Sequence, residues 1–329
     1  MKRSISERRR EFLALLGACS TGLVSFRSNA QPRRLNLTCS YNPGLQADGA
    51  QLFADKIAEA AAGTIEVSVE AGMHMPLEAT ARRSALAVYC APCVEKSEPL
   101  LNLSTVPMLA ATFDETATLH RVARPYYSAA LARHGQALLG DQPWLPGALW
   151  SNIPIRSVAD FKGVLFAVVA SPGAAAHTES DWGKPFARLG ARFVSFSDAE
   201  VVIASSYSGH LLKLTQEFAY FTEIFFATHI SFLAASQDVF ESLSETERRI
   251  RRGAGHDTEL AMWRRMTEHL PRRRQEIAAR GVQVLAQPPV EVIAALREAA
   301  EPDIQAWVQT VGADGRTILA DYRRAVGRE

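Results

Sequence analysis

The order of three short segments near the start of the chain constrains its fold more than any other feature. Residues 34–40 alternate apolar and polar (Leu35, Leu37 and Cys39 on one side) and read as a strand with one buried face; Tyr41-Asn42-Pro43-Gly44 then turns the chain. Residues 47–61 set Leu52, Phe53, Ile57, Ala60 and Ala61 at helical spacing and stop at Gly63. Residues 64–70 alternate again through Ile65, Val67 and Val69. Strand, helix and strand in close succession form a crossover unit, and such units build parallel sheets with helices packed on them. Ligands of these sheets sit beyond the carboxyl ends of the strands, which makes Tyr41 and Asn42 the first candidate contacts.

A second unit of the same kind follows. A linker at 152–157 leads to a helical turn over 158–162, an apolar strand over 164–170 broken by Ser171-Pro172-Gly173, a helix over 182–189 and a strand over 192–196. Between the two units the pattern predicts a strand at 85–90, helices at 115–124 and 125–134, and strands at 136–139 and 148–150. From Asp238 onward the chain reads as helical, with breaks near Gly253-Ala254-Gly255, Pro271 and Pro288-Pro289. A content of 47% hydrophobic and 22% charged residues over 329 positions is that of a soluble globular protein and excludes wholesale disorder.

The net charge of +1 conceals a segregation. Residues 1–30 carry six basic and two acidic side chains, so the remainder, with 30 basic and 33 acidic, is net −3. The first thirty residues have the three zones of an export signal: a basic stretch to Arg10, a mildly apolar run over 12–26, and small residues at Ser28 and Ala30 that favour cleavage before Gln31. Arg9-Arg10-Glu11-Phe12-Leu13 resembles the twin-arginine motif, with Arg8 where Ser or Thr is preferred. Leu16-Gly17-Ala18-Cys19 supports a second reading, a lipobox leaving a lipidated Cys19. Both place the mature protein in the periplasm.

Motifs for nucleophilic, metal-dependent or phosphate-binding chemistry are missing from the sequence: no G-x-S-x-G, no H-E-x-x-H and no G-x-x-x-x-G-K. Eight histidines are scattered without helical metal spacing, so the expectation is no metal, no cofactor and no enzyme activity. Cys90-Ala91-Pro92-Cys93 has the C-x-x-C spacing of thiol oxidoreductases and keeps a periplasmic redox function as the alternative. An arginine-rich stretch from Arg248 to Arg274 is interleaved with Glu245, Glu247, Asp257, Glu259 and Glu268, which suits ion pairs on solvated helix faces and not nucleic-acid binding.

Several segments together resemble one family, the DctP-type solute-binding proteins of tripartite ATP-independent periplasmic (TRAP) transporters. Gln51-Leu52-Phe53-Ala54-Asp55-Lys56-Ile57 running into Gly63-Thr64-Ile65 is similar to its first helix and second strand. Pro154-Ile155-Arg156-Ser157-Val158-Ala159-Asp160-Phe161-Lys162-Gly163 resembles its P-I-x-S-x-x-D-L-K-G segment, and Leu189-Gly190-Ala191 with Ser197-Asp198-Ala199-Glu200 resembles its L-G-A and S-x-x-E segments. The resemblance implies an α/β, two-lobed periplasmic solute-binding fold, type II-like, with long C-terminal helices. It divides the chain into a signal (1–30), a first lobe (31–155), a second lobe (156–220), and a crossover segment with C-terminal helices packing across both lobes (221–329). The function it implies is capture of a small organic acid or related solute in the cleft and delivery to the membrane permease of a TRAP transporter. A diverged ligand-sensing protein on the same fold is a further alternative, and a homodimer through a C-terminal helix stays open.

This chain departs from the family where the ligand is held. An L-K-I-R-V strand whose arginine grips the ligand carboxylate should follow the D-L-K-G segment, but here it reads Val164-Leu165-Phe166-Ala167-Val168. A second arginine found in some members shortly before the linker is replaced by Pro146-Gly147-Ala148-Leu149-Trp150, and the G-V-V-D-G-x-E hinge by a stretch around Ser205 to His210. Candidate contacts are therefore Tyr41, Asn42 and Trp150 for a neutral, aromatic or zwitterionic solute, or Arg156, His177 and Arg192 as relocated partners of an anion.

Overall fold

The computed structural model describes residues 32–328 other than 41–43, 73–76, 78–84, 95, 170–175 and 212, and residues 33–329 form one compact unit. The predicted opening is present: strand β1 (Arg33–Cys39), helix α1 (Leu45–Ala60) and strand β2 (Ile65–Ala71), with β1 and β2 parallel from Arg33↔Ile65 to Cys39↔Ala71. Strand β3 (Leu86–Cys90) pairs parallel on the other edge of β1. Buried Leu35, Leu37 and Cys39 pack with Phe53 and Ile57 of α1, as the alternation and the helical spacing require.

After helix α2 (Phe113–Arg133), strand β4 (Gln136–Pro143) joins the same sheet, although it does not touch β3 directly. A late strand, β10 (Ile230–Ser236), inserts antiparallel between them and gives the order β2-β1-β3-β10-β4. Every residue of β10 is buried, so it lies in the middle of the sheet with both faces covered.

The second sheet has the order β11-β9-β5-β8-β6-β7 and is built from β5 (Gly147–Ser151), β6 (Leu165–Val168), β7 (Arg192–Phe193), β8 (Val201–Ser205), β9 (Tyr220–Thr222) and β11 (Gln283–Leu285). Thus β5 belongs to the second sheet although it precedes residue 155, because the chain leaves β4 at Pro143 and crosses over. The helices here are α3 (Ala176–Arg188) and the six-residue α4 (Ser206–Leu211). One face of this sheet buries Leu149, Phe166, Val168, Val201 and Ile203 against Trp182 and Phe186 of α3.

Three elements join the lobes. Residues 144–146 carry the chain out and residues 223–229 carry it back, and the two strips are stitched together by Trp144 N–H to His229 O (2.8 Å), Gly147 N–H to Ala227 O (3.0 Å) and Phe226 N–H to Gly147 O (3.0 Å). Short helix α5 (Gln237–Glu241) then leads into the third joint, helix α6 (Glu245–Ala278), 34 residues long and unbroken. Its sequence predicts breaks at Gly253-Ala254-Gly255 and Pro271, and the structure has none. Gly255 meets β4 so closely that a Cβ there would lie 2.5 Å from the Leu139 carbonyl oxygen, so this glycine serves helix-on-strand contact. Ser244 and Glu247 form a capping box at the helix start. Met262, Met266, Leu270 and Ile277 are buried along the helix, and this tertiary packing outweighs the cost of Pro271. Likewise Pro125 lies inside α2 and does not divide it in two. Helices α7 (Val290–Val311) and α8 (Ala313–Ala325) close the chain; α7 packs on both lobes, with Val292 and Leu296 against the second and Ile304 and Trp307 against the first.

Candidate functional site

The space between the lobes is bordered by the crossing strips and by residues from both sheets. Gln142, at the end of β4, is fully buried and donates from Nε2 to Gln46 O (3.3 Å), and Gly49 leaves the room its side chain fills. Trp144 Nε1 donates to Ser231 Oγ (2.9 Å), and Trp182 Nε1 donates to the Thr105 carbonyl (2.9 Å), which ties α3 to the first lobe. The His229 ring lies between these two indoles, with centroids 5.4 Å and 4.8 Å away. Burial lowers its pKa to about 4, so His229 is neutral at ordinary pH, and its Nε2 has no hydrogen-bond partner.

A cavity of about 180 Å³ opens beside Trp182, lined by Asn102 and Val106 of the first lobe, Lys184 of α3, and Asp303 and Trp307 of α7. Asp303 is held in a fork by Arg188, with Nη1–Oδ2 at 2.5 Å and Nη2–Oδ1 at 2.9 Å. Both lobes therefore wall this cavity, and its volume exceeds that of a dry protein cavity known to accept a benzene-sized guest, about 150 Å³.

The opposite face of the second sheet is where a cationic clamp was expected. Ala148, Trp150, Ala167, Val202, Ala204 and Phe221 form that face, and Leu214, Phe218 and Ile277 cover it. Ala167 is 2% exposed and pairs with Val202 in the ladder, and Ala148 pairs with Ala204. The Trp150 ring meets Phe221 edge-on at 4.8 Å and lies so close to α4 that a Cβ on Gly209 would be 2.2 Å from it. The position of the expected strand arginine is thus an alanine, Ala167, on a packed apolar surface, and the region of the second one, 146–150, contributes Ala148 and Trp150 to the same surface.

The candidate contacts divide accordingly. Trp150 has no exposed surface and forms part of the core, with its Nε1 unpartnered. Arg156 is exposed, and its backbone N–H donates to Asp160 Oδ2 (2.8 Å); Ser157 and Asp160 form a capping box, so this motif builds a helical turn. Arg192 is exposed on the two-residue edge strand β7. His177 falls within α3, but its side chain lies outside the described residues, as do Tyr41, Asn42 and the 1–30 segment. Glu200 accepts the Leu165 N–H (3.0 Å), and Asp198 accepts Ser195 Oγ–H (2.7 Å), so the S-x-x-E motif is also structural. The structure brings none of the described candidates together. It assembles instead Trp144, His229 and Trp182, which the sequence analysis did not group; the one signal for them was Trp144 framed by Pro143 and Pro146.

Cys90 is 1% exposed on β3, between β1 and β10, while Cys93 lies in the short helix Ala91–Val94 and is half-buried. A nucleophilic thiol must be reached by its partner disulfide, so the buried Cys90 removes the support for a redox function. Part of the arginine-rich helix is paired: Arg248 with Glu245 (3.1 Å) and Arg273 with Glu276 (2.7 Å) within the helix, and Arg274 with Glu223 of the returning strip (3.5 Å), while Arg251 is buried.

No protein-family model and no curated protein matches the chain. Solved structures match over almost their whole length. The extracytoplasmic solute receptors DctP7 and DctP6 of Bordetella pertussis, both binding pyroglutamic acid, superimpose with TM-scores of 0.72 and 0.75 at 22% and 19% identity; each covers 88% of this chain and 99% of its own. A TRAP solute binding protein from a marine metagenome, specific for pyroglutamate, gives a TM-score of 0.73 at 18% identity, over 90% of this chain and all of its own. The fold is that of the TRAP solute receptors.

Proposed function

We propose that this chain is an extracytoplasmic receptor that encloses one small organic solute between its lobes and hands it to a TRAP-type membrane permease. The observation that carries this reading is the pair of lobes, joined only by narrow strips and spanning helices, with a cavity walled by both. The solved receptors of this fold supply the ligand chemistry, since their described ligands include pyroglutamate, orotic acid and sn-glycerol-3-phosphate. Residues 1–30 serve as the export signal in this reading, and the mature protein works in the periplasm without catalysing a reaction. Tyr41 and Asn42, which follow β1 in the chain, and His177, the second residue of α3, remain the proposed solute contacts.

The solute class follows from the second sheet. Ala148 and Ala167 offer no guanidinium, and a carboxylate buried against that face would forgo charge-assisted bonds of about 1.5–3 kcal/mol each. The proposed ligand is therefore a zwitterion, an uncharged or aromatic solute, or a monocarboxylate held from elsewhere in the cleft, and not a dicarboxylate. Thermal-shift screening of the purified mature protein tests this, because a ligand present at 100 times Kd adds about 2.7 kcal/mol of stability. Stabilisation by one of these classes is the expected result; no stabilisation by any small solute would sink the receptor reading.

A further inference from the structure

Residues 105–111 follow the chain of the first lobe but pack into both lobes. Val106, Leu109 and Ala110 lie in the first-lobe core with Leu119, Tyr127 and Phe232. Met108, between them, is fully buried in the second-lobe core with Leu149, Phe186 and Phe226. The loop is fastened on both sides. On the first lobe, the Leu109 carbonyl accepts the Tyr322 hydroxyl (3.0 Å) and Arg328 Nη2–H (2.8 Å). Toward the second, the Thr105 carbonyl accepts Trp182 Nε1–H (2.9 Å), and Met108 N–H donates to the Phe226 carbonyl of the returning strip (2.7 Å).

That last bond joins two strained places. Among the described residues four that are not glycine have positive φ, and Met108 (54°) and Phe225 (46°) are two of them. Of the others, Ala62 directly follows the C-cap of α1, where helices commonly turn left-handed, and Lys213 is exposed ahead of a short helical turn. For residues as bulky as Met108 and Phe225 the conformation is costly, and it persists only where the surroundings impose it. What imposes it here is contact between the lobes: the Met108 side chain is held in the second core, and its backbone is bonded to the strip.

We infer that residues 105–111 form a further, non-covalent joint between the lobes, and that Met108 and Phe225 carry their strain only while the lobes stand as they do here. Parting the lobes withdraws Met108 from the second core, breaks its bond to Phe226 and lets both residues return to ordinary φ. The pair acts as a spring set against the packing of the joint, and it sets the balance between docked and parted lobes. Its consequence for solute affinity rests on the receptor reading, because a solute enclosed by docked lobes binds more weakly when fewer molecules are docked. The balance itself does not rest on that reading.

Hydrogen exchange of the purified mature protein, followed by NMR without any solute, tests the spring separately from the receptor reading. The reporter is the Met108 amide, which is protected while the loop is docked on the strip. Phe225→Ala and Phe225→Gly both lack the ring, so their difference isolates the backbone: alanine keeps the cost of positive φ and glycine lifts it. The expected result is about fivefold stronger protection of the Met108 amide in Phe225→Gly than in Phe225→Ala. The Trp182 indole N–H reads the companion pair, Met108→Ala and Met108→Gly, and the same order is expected. Slow exchange along the central strand β10 shows that each variant is folded. In the wild type the Met108 amide should exchange faster than the β10 amides. Equal exchange at the two places would show that loop and strip part only on unfolding. No gain in protection from glycine in either pair would show that the strain is the same in both arrangements. Each of these results overturns the inference.

Discussion

The crossing strips and the covered face of the second sheet are both buried, yet they are built from opposite chemistry. Along the strips and the strand that feeds them lie Asp141, Gln142, Glu223, Thr228 and His229, all at most 8% exposed. Across the covered face lie Ala148, Trp150, Ala167, Val202 and Ala204, with no ionisable group among them. Asp141 accepts the Trp263 indole N–H and Gln142 donates to the Gln46 carbonyl, and each such buried bond ties a particular geometry. The apolar face needs only volume and shape. The contrast separates two kinds of buried surface: a polar joint between the lobes, and an apolar sheet face at the place where the resemblance to the TRAP receptors led us to expect an arginine.

Four substitutions can break or sharpen that contrast. The largest effect belongs to Trp150→Ala, which empties the centre of the apolar face and is expected to cost about 3–5 kcal/mol in urea unfolding; a loss below about 1 kcal/mol would show that the face is not a packed core. Next is Ala167→Arg, which restores the family residue where no partner awaits it. An uncompensated charge there should destabilise by about 3 kcal/mol with no gain in carboxylate affinity by calorimetry. If the limit is space, the double variant Trp150→Ala, Ala167→Arg loses less than the sum of the singles. An Ala167→Arg protein that is fully stable and binds dicarboxylates would restore the clamp and refute the contrast. Third, Gly255→Ala presses a methyl group on the Leu139 carbonyl and should cost about 1–3 kcal/mol by parting the long helix from β4.

The fourth test is a pH dependence from the polar side. Asp141 accepts Trp263 Nε1–H at 2.8 Å and shares Arg124 with Glu259, and its carboxyl is pushed up to about 7 by burial, with repulsion from Glu259 adding to the rise. Between pH 4 and 7 the folded protein therefore holds a proton that the unfolded chain releases. The stability from this group is complete below the unfolded pKa and is lost as pH rises through about 7. His229 and His120 act in the opposite direction, since burial lowers them to about 4 and about 3 and acid favours the unfolded chain. Subtracting the Asp141→Asn unfolding curve isolates the first contribution: wild type should lose stability relative to the variant as pH rises from 4.5 to 7.5. A flat difference would show that Asp141 titrates normally.

Much of the fold was legible in the sequence because it is local. The first β-α-β unit, the Ser157–Asp160 cap and the α3 core pattern of Trp182 and Phe186 follow from alternation, helical spacing and capping chemistry. The central strand β10 was not legible, since the apolar run of residues 230–236 pairs with strands some ninety and 140 positions away, which no local pattern encodes. Nor was the unbroken helix α6, where glycine signals contact with β4 and not a stop. The site was less legible than the fold. The vacancy at Ala167 could be read from the motif, but only the packing shows that Trp150 and its neighbours close over it. His229 acquires its place through the two crossing strips, which bring it between Trp144 and Trp182.

The central claim is that this is a solute receptor whose second lobe has no cationic clamp. Isothermal titration calorimetry of the mature protein against matched sets of dicarboxylates, monocarboxylates, zwitterions and uncharged aromatic solutes tests it most directly. The account predicts saturable one-to-one binding by at least one member of the last three sets and none by the dicarboxylates. Tight dicarboxylate binding, or no binding by any set, would contradict it.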